Sequence, residues 1–450
     1  MSTLLFTKFK KKGRNDFDQE LNEIEIEIKN RVVKWVKKQS KGSENLDEVE
    51  GMVTPLLNKV RKGATESLFE NQDVSERVCN CGNKMSIKEK LPRKITGLVK
   101  YEIKRRSFYC NQCNIYEQPL DHYIECVGGY TLEIKKAITL LGQRLPFSEA
   151  SDYLGKLLKV QISHGTFQIF VEAIGKKIAK DEKKSVSAAI DENGYIKNWD
   201  AASSLKKGAA YLEMDGTMAC TREEGWKEVR NGVLFAQKDI VRPDKNHREI
   251  MKKKYFSVSN TSENALAEFK DRTSFEAYEL GFHRYETPVI LGDGAKWIWD
   301  YANVYHPDAI QILDYYHAAD YLGSAFKSLK FEDEKLEKQE KDTLFDWLWD
   351  GKINVILDYL AKQTQTDNVA NCLRYYKNNR HRMKYKYYRD KGLEIGSGAI
   401  ESAHKIIVHS RLKQAGMRWN KHNVQSMVSL RSKYLSGEWD QIVCHYLLAA

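Results

Sequence analysis

The stretch Gly392–Trp419 reads GLEIGSGAIESAHKIIVHSRLKQAGMRW. From about Gly398 it predicts a helix that carries a carboxylate, Glu401, in its first turn and then becomes strongly basic. Two Asp-Gly pairs lie far upstream, at Asp215 in YLEMDGTM and at Asp293 in VILGDGAKW, and each follows a run with strand character. Three acids from two strand ends and one helix predict a divalent-cation site, because Mg²⁺ prefers carboxylate oxygens.

Each acid also has an ordinary structural interpretation. Asp-Gly is a favoured turn dipeptide, so Asp215 and Asp293 alone are more often turn residues than metal ligands. An acid near a helix N-terminus, such as Glu401, is favoured by the helix dipole alone. The three together in a basic chain favour the metal site, since phosphoryl transfer on DNA uses two cations held by carboxylates. The chain has no competing phosphate-loop motif and no Ser/His/Asp motif.

The composition predicts a cytoplasmic, nucleoid-associated protein with a polyanionic partner. The 450 residues are enough for two to four domains, and the formal net charge of +11 favours a partner whose phosphates release counterions on binding. No apolar run is long enough to cross a bilayer, and we expect no membrane partner. The first residues, MSTLLFTKFKKKGR, place their apolar patch before their charges, which is the reverse of a secretory signal.

Four of the eight cysteines form two close pairs, Cys79/Cys81 and Cys110/Cys113. The pairs flank LVKYEIKRRSFY, whose alternation predicts a strand of a β-hairpin. Two pairs on tight turns can offer four thiolates to tetrahedral Zn²⁺, so residues 76–130 are predicted to form a zinc-ribbon-like module with a structural Zn²⁺. The first pair has one spacer residue rather than two, which leaves open whether Cys79 and Cys81 complete the site. Four incidental thiols are the alternative.

Residues on either side of this module predict helices. Residues 1–75 form a helical region in which apolar side chains recur at helical spacing: Phe17, Leu21, Ile24, Ile28, Val32 and Trp35. Residues 131–182 predict two short amphipathic helices, with Ser163 capping the second. This helix-turn-helix-like module would place Thr166 and Gln168 in a major groove, although an ordinary helical pair fits the pattern almost equally well. Residues 183–208 are polar and aperiodic, which predicts a linker.

The remainder predicts a multidomain α/β protein whose second half contains a central sheet. Ala209–Met214, Val233–Lys238 and Gly281–Leu291 have strand character within a first core segment, 209–330. Residues 331–391 predict a helical insertion, because 108 residues separate Asp293 from Glu401. Residues 392–450 complete the core with the acidic residue Glu401 and basic helices.

Basic residues surround the last acid. Arg374–Lys391 interleaves Arg and Lys with tyrosines, which is typical of nucleic-acid binding; a solvated helix with a tyrosine stripe against the core is the alternative. After Glu401, helical spacing directs Ile400, Ala403 and Ile407 inward and leaves the cations at the surface. The predicted DNA-binding residues in these segments are Arg382, Lys384, Lys405, Arg411, Lys413 and Arg418.

Several blocks of the sequence resemble a known family. YLEMDGT, GWKEVRNGVLF, LGDGAKWIWDYANVYHPDAIQILDYYHAADYL, RMKYKYYRDKGLEIGSGAIESAHK and RLKQAGMRW occur in that order from about residue 210 onward. They are similar to the motif blocks of ISKra-type insertion-sequence transposases, which are relatives of the ISLre and Mutator-like DDE enzymes. The upstream cysteine pairs also resemble the N-terminal half of that family.

The resemblance implies an RNase H-like core with a helical insertion before the last acid. It makes Asp215, Asp293 and Glu401 the catalytic ligands of Mg²⁺ or Mn²⁺, with Asp300, Asp308 and Asp314 as rivals for the second position. Asp314 and His317 resemble a supporting Asp-x-x-His signature, although Asp314 could equally cap a helix and His317 be a buried polar partner.

The expected function is that of a bacterial insertion-sequence DDE transposase. It would bind double-stranded DNA at the terminal inverted repeats of its element and join them to target DNA, working as a homodimer. The alternatives are a metal-dependent nuclease of the same fold and a non-catalytic DNA-binding relic, because fold alone does not choose between them.

Overall fold

The computed structural model describes residues 26, 29–39, 45–124, 129–197, 204–244, 248–331 and 333–448. The chain divides into two compact units, one comprising 1–135 with 158–160 and the other 136–157 with 161–450. Residues 29–39 are helical and include Val32 and Trp35 of the predicted amphipathic helix. The positions Phe17, Leu21, Ile24 and Ile28 lie outside the described residues.

The first unit is a small helix-and-hairpin module. Helix α1 (Leu46–Glu70) begins at a capping box in which Asn45 and Glu48 satisfy each other's backbone N–H groups. Strands β1 (Ser86–Thr96) and β2 (Lys100–Cys110) form an antiparallel hairpin, and the short β3 (Ile115–Glu117) extends it; helix α2 (Asp121–Ile124) follows. This confirms the strand predicted between the cysteine pairs.

Acidic side chains of the first unit cover the part of β2 that β3 does not reach. Glu66 and Glu70 of α1 accept the backbone N–H groups of Glu102 and Lys104, and Asp73 accepts that of Arg106. Such contacts satisfy backbone donors at a strand edge that would otherwise stay open to pairing. The hairpin is therefore stabilised by a small apolar core and by hydrogen bonds from β2 backbone N–H groups to these carboxylates.

The second unit is built on a mixed five-stranded sheet. Its strands are β4 (Lys206–Thr221), β5 (Gly225–Ala236), β8 (Lys254–Ser259), β9 (Tyr285–Gly292) and β10 (Ile310–Leu313), and a two-stranded ribbon, β6 (Ile240–Val241) with β7 (Glu249–Ile250), lies apart. The order is β10-β9-β4-β5-β8, with β4, β9 and β10 parallel and β5 antiparallel to both neighbours. Strands β8 and β10 were not predicted from the sequence, whereas the mixed α/β class was predicted and is confirmed.

Helices precede this sheet, connect its strands along the chain and follow its last strand. Those before and within it are α3 (Leu132–Arg144), α4 (Phe147–Leu158), α5 (His164–Ala189), α6 (Ala265–Leu280), α7 (Lys296–Tyr305) and α8 (Tyr315–Lys327). The predicted insertion is helical, with α9 (Glu334–Trp349), α10 (Ile353–Ala361), α11 (Asp367–Asn379) and α12 (Tyr385–Asp390). The last segment contains α13 (Gly398–Ala403), a π-helix (His404–His409), α14 (Ser410–Leu412), α15 (Lys421–Leu435), α16 (Trp439–Gln441) and a second π-helix (Ile442–Leu447).

Helices α5 and α15 pack closely against each other. A Cβ at Gly175 of α5 would lie 2.2 Å from the carbonyl oxygen of Ser426 in α15, so only glycine permits this approach. Buried Phe167, Val171 and Ile178 extend the same face of α5. This helix is thus part of the core of the second unit.

The predicted linker 183–208 is wrong at both ends. Residues 183–189 are the last turns of α5, and β4 begins at Lys206. Helix α5 extends past residue 182 because its polar last turns contain good helix formers such as Lys and Ala. Tertiary packing of its buried face stabilises the whole helix, although its last turns show no apolar periodicity. The division between the two units lies near residue 135 instead.

Among the described residues, no helix combines the length and apolar character needed to span a bilayer.

Candidate functional site

Four cysteines of the first unit converge. The Sγ atoms of Cys79, Cys81, Cys110 and Cys113 all lie within 4.8 Å of one another, with Cys79–Cys113 at 3.9 Å and Cys81–Cys110 at 3.6 Å. Two of these side chains are buried and two are exposed. The short Cys79/Cys81 spacing therefore still delivers both sulfurs, and the cluster could bind a metal ion with four thiolates.

Tight turns bring the sulfurs together. The N–H of Gly82 donates to the carbonyl of Cys79, and the N–H of Asn114 donates to that of Cys110. Gly82 and Asn114 both have positive φ, the conformation that such a turn requires. Hydrogen bonds from the Asn83 backbone and then from the neighbouring thiols lower the pKa of Cys81 to about 6, whereas the neighbouring thiols raise that of Cys113 to about 12.

In the second unit, one face of β4 meets the segment that contains Glu401. Glu213, Asp215 and Thr217 alternate along the strand and so point to the same side. The Glu213 Oε2 atom accepts the N–H of Ile400 at 2.8 Å, and Thr217 Oγ1 lies 2.8 Å from His409 Nε2. Between them, His404 Nδ1 lies 3.7 Å from Asp215 Oδ2.

Asp215 and Gly216 form no turn. They lie inside β4 opposite Asn231 and Arg230 of β5. A Cβ at Gly216 would lie 2.3 Å from Glu228 Oε1, so the glycine leaves room for a neighbouring side chain. The turn interpretation of this dipeptide is therefore wrong, and Asp215 is a strand residue on the face toward His404.

Asp293 follows β9, the strand that pairs with β4. Its Oδ1 accepts the N–H of Ala295 at 2.9 Å, and Gly294 has φ +101°, so here the Asp-Gly pair does form a tight turn. The Tyr375 hydroxyl, from α11 of the insertion, donates to the carbonyl of Asp293 at 2.5 Å. The ring of Tyr375 stacks on Tyr321 with centroids 4.0 Å apart.

Asp215 and Asp293 influence each other electrostatically. Burial and, after it, the negative charge of Asp293 together raise the pKa of Asp215 to about 6, while the hydrogen bond from the Gly216 backbone and the charge of His317 act to lower it. Two carboxylates that repel one another at the margin of a sheet form a donor set that a cation would neutralise. Asp215 and Asp293 lie on or directly after neighbouring strands and offer carboxylate oxygens, the ligand type that a divalent cation prefers.

Glu401 lies in the first turn of α13, as predicted, and its side chain is exposed. Within the described residues, the four cysteines are the one group of three or more possible ligands whose atoms all lie within 4.8 Å of one another. Asp215, Asp293 and Glu401 are thus more widely spaced than that. The residue of this segment that contacts Asp215 is His404, one turn beyond Glu401.

The predicted rivals of Asp293 have other roles. Asp300 pairs with Lys296 on the surface of α7, and Asp308 lies in the turn before β10. Asp314 is fully buried and caps α8 by accepting the N–H of His317, while its other oxygen accepts the N–H of Ser397. Asp314 therefore ties β10 and α8 to the segment before Glu401.

Glu213 is a buried acid that sequence reasoning missed. Burial raises its pKa to about 8, and the nearby carboxylates Asp314 and Glu394 act in the same direction. Its Oε1 atom is buried and has no hydrogen-bond partner among the described residues. The alternation of β4 places it on the same face as Asp215, which was a usable signal, but its burial depends on helix α13.

Two of the predicted DNA contacts are buried instead. The Arg411 guanidinium lies 4.5 Å from the Phe147 ring centroid and 4.8 Å from that of Trp419, and its Nε donates to the carbonyl of Gly142. Arg382 lies over Trp299 and donates to Gln311. Both predictions were wrong because a basic stripe contains inward-facing positions, where arginine stacks on aromatic rings.

Other predicted contacts are exposed. Lys384, Lys405, Lys413 and Arg418 have exposed side chains. The Lys413 ammonium lies 5.5 Å from the ring centroid of Trp226, which is itself 55% exposed. In the interleaved segment, Tyr376, Tyr385 and Tyr388 are buried and Tyr387 is exposed, so the core interpretation of its tyrosine stripe holds for most of it.

The helix pair at 147–189 is present, and Ser163 caps its second helix by accepting the N–H of Thr166. That helix, α5, is 26 residues long rather than short. The Thr166 hydroxyl bonds to Ser163, and Gln168 donates to Glu172. Both predicted groove-facing side chains are thus engaged within the pair.

The protein is thus a mixed α/β protein of two compact units. One unit contains the four-cysteine cluster, and the other contains Asp215 and Asp293, whose charges interact. The uncharacterised protein family UPF0236 matches residues 40–443, so the chain belongs to this family. It is similar to the "UPF0236 protein in vanSb 3'region" of Streptococcus gallolyticus. The two are 23% identical over 338 residues, which cover 71% of this chain and 67% of that relative.

Proposed function

We propose that this protein is a DDE-type DNA transposase of a bacterial insertion sequence. The observation that carries the proposal is the pairing of Asp215 on β4 with Asp293 at the end of the adjacent parallel strand β9, beside the segment that contains Glu401. Asp293 follows the carboxyl end of a parallel strand, which is where open sheets bind ligands, and Asp215 lies within the neighbouring strand.

The sheet supports an RNase H-like core. Strands β4, β5 and β8 follow one another in the chain and pair antiparallel. Strands β9 and β10 come after helices and lie parallel to β4 on its other side, which gives the order β10-β9-β4-β5-β8. This arrangement agrees with the core that the resemblance to ISKra-type transposases implies. The helices between β10 and α13 occupy the place of the implied insertion.

Asp215, Asp293 and Glu401 would hold Mg²⁺ or Mn²⁺. When bound, these cations supply the charge that activates the attacking oxygen and stabilises the leaving oxygen in phosphoryl transfer. Tyr375 holds the backbone of Asp293, and Asp314 holds the backbone of His317 and Ser397. These contacts hold the backbone at Asp293 and the backbone before Glu401, which supports the positioning that phosphoryl transfer requires.

Exposed cations would bind the DNA backbone. Lys405, Lys413 and Arg418 follow Glu401 on the same segment, so a phosphate that they contact would lie near the acids. The four cysteines would hold a structural Zn²⁺, and the module around them, with the α4–α5 pair, would bind the terminal inverted repeats. Two element ends must be joined together, so we expect a homodimer in the active complex.

The test uses DNA that flanks the gene. Purified protein and its Glu401→Gln variant are incubated with this DNA and Mg²⁺, and the 3′ ends are mapped by sequencing. We expect discrete cuts at paired flanking sites, joined to new DNA, and about a hundredfold to a thousandfold fewer with the variant, since loss of a charge-stabilising group costs about that much. Glu263→Gln, which changes an exposed acid just before α6, is the control and should cut normally.

Cuts without joining would replace the proposal with a metal-dependent nuclease. Binding without cuts from either protein would favour a DNA-binding relic. Cutting retained by Glu401→Gln would remove Glu401 from the mechanism.

A further inference from the structure

The helical segment beside β4 contacts the strand at regular steps over ten residues, 400–409. Strand positions Glu213, Asp215 and Thr217 face Ile400, His404 and His409 respectively. Strand residues on one face recur every two positions, about 6.6 Å apart, and four or five helical residues advance about as far. The helix therefore lies along the strand, with a contact at each step.

A regular α-helix could not make all three contacts. At 3.6 residues per turn, positions 400 and 404 share a face, whereas position 409 would be rotated about 140° from 404. The π-helix His404–His409 adds one residue to the turn and returns His409 to the face of His404. Single π-turns inside α-helices occur often at functional sites.

A buried arginine stabilises this π-turn. Arg431 of α15 is 4% exposed, and its guanidinium donates to the carbonyls of Ile407 and Ile406 and to the Ser410 hydroxyl. A π-turn shifts its hydrogen bonds by one residue and so leaves carbonyls in need of donors. Arg431 supplies them from inside the core, and its guanidinium also donates to the carbonyl and the side chain of Gln143, so neutral oxygens satisfy this buried arginine.

The turn brings an imidazole with spare bonding capacity to Asp215. His404 is 8% exposed, and its Nε2 has no hydrogen-bond partner among the described residues. Its Nδ1 lies 3.7 Å from Asp215 Oδ2. The imidazole also bonds to the Asp215 backbone. Two atoms that each ligate one cation from about 2.1 Å are at most about 4.2 Å apart, so the separation of Nδ1 and Oδ2 lies within the reach of one shared cation.

We propose that His404 is a ligand of the cation at Asp215 and gives that site a preference for transition-metal ions over Mg²⁺. The inference rests on the proposed function, since it assumes a cation at the paired acids. Imidazole nitrogen binds first-row transition metals well and Mg²⁺ poorly. The site thus differs from one built of carboxylates alone.

The test is the binding of Mn²⁺ to the full-length, untagged protein with Zn²⁺ already bound, followed by pulsed electron paramagnetic resonance. Coupling between Mn²⁺ and ¹⁴N reports a directly bound imidazole and requires neither DNA nor activity. We compare wild type with His404→Ala, with His409→Ala from the same π-turn, and with His317→Ala, whose charge also acts on Asp215. Asp215→Asn identifies which bound Mn²⁺ is at the site.

We expect ¹⁴N coupling in wild type, His409→Ala and His317→Ala, and its loss in His404→Ala. His404→Ala should also weaken Mn²⁺ binding by at least about tenfold while changing Mg²⁺ binding, measured by competition, by less than about threefold. Asp215-dependent Mn²⁺ without ¹⁴N coupling would overturn the role of His404 and leave the acid site intact. Coupling that disappears in His317→Ala instead would also overturn it. Absence of any Asp215-dependent Mn²⁺ would overturn both this inference and the metal-dependent function.

Discussion

The cysteine cluster and the acid site differ in how far apart their residues lie in the chain. Cys79 and Cys113 are 34 residues apart, and two turns around one hairpin bring four sulfurs within 4.8 Å. Asp215 and Glu401 are 186 residues apart and belong to different layers of the second unit. The first site therefore depends on local turns, whereas the second depends on the whole sheet and on a π-turn fixed by Arg431.

This difference predicts how a substitution in each site affects the folding of its unit. In the first unit, two small clusters of buried apolar residues support the hairpin, so metal binding and folding should be the same event there. In the second unit, a large core holds the strands, so the acids can be replaced without loss of the fold. The following predictions test this contrast.

The largest expected effect is that of Cys110→Ser. Removing a buried thiolate should release the Zn²⁺, and because structural zinc contributes on the order of 10 kcal/mol to such modules, the first unit should unfold. Metal content by atomic emission and hydrogen exchange of residues 76–117 measure this. Cys444→Ser, which changes an exposed cysteine of the second unit, should keep one Zn²⁺ per chain. Unchanged metal content in Cys110→Ser would disprove the zinc site.

Arg411→Ala and Lys405→Ala should differ in their effects, because Arg411 is buried in the core and Lys405 is exposed. Arg411→Ala leaves the carbonyl of Gly142 without its donor and opens a cavity between two rings, so we expect a loss of about 2–4 kcal/mol in unfolding free energy. Lys405→Ala should change stability by less than about 0.5 kcal/mol and reduce the salt dependence of DNA binding by about one charge. Urea denaturation and salt titrations measure both. The reverse pattern would restore Arg411 as a DNA contact.

Glu213→Gln should change how stability depends on pH. A buried carboxyl with its pKa raised to about 8 is protonated in the folded state and ionises more readily in the unfolded state. Its contribution is therefore complete below about pH 4 and is lost as the pH rises toward 8, by at most about 1.4 kcal/mol per unit. Glutamine does not ionise, so the variant should gain stability relative to wild type between pH 5 and 8. A constant difference across that range would mean that Glu213 is ionised in the fold.

The smallest expected effect is that of Ser163→Ala. The hydroxyl accepts the N–H of Thr166 at the start of α5, and loss of such a cap costs about 1 kcal/mol. Thermal unfolding measures the change, with Ser185→Ala at an exposed position of the same helix as the control. Equal melting temperatures for the two variants would mean that the cap contributes nothing to stability.

Much of the secondary structure was predictable because its signals are local. The alternation from Lys100 to Cys110 predicted β2, and Ser163 predicted the start of α5. The limits of elements were less predictable: α5 continues to Ala189, into the first residues of the expected linker, and it is held by packing on α15 around Gly175. Short strands such as β10 give little signal, since four buried residues fit a helix or a strand.

The candidate site shows the same division. The sequence by itself determined the four cysteines, the acids Asp293 and Glu401 at a strand end and a helix start, and the basic segment after Glu401, since each follows from residue type and short spacing. Only the tertiary structure decided that Arg411 and Arg382 are buried, that Glu213 is enclosed, and that His404 rather than Glu401 contacts Asp215. Those outcomes depend on which helix face meets which strand. One additional residue in a turn, fixed by an arginine 22 positions beyond its last residue, rotates that face.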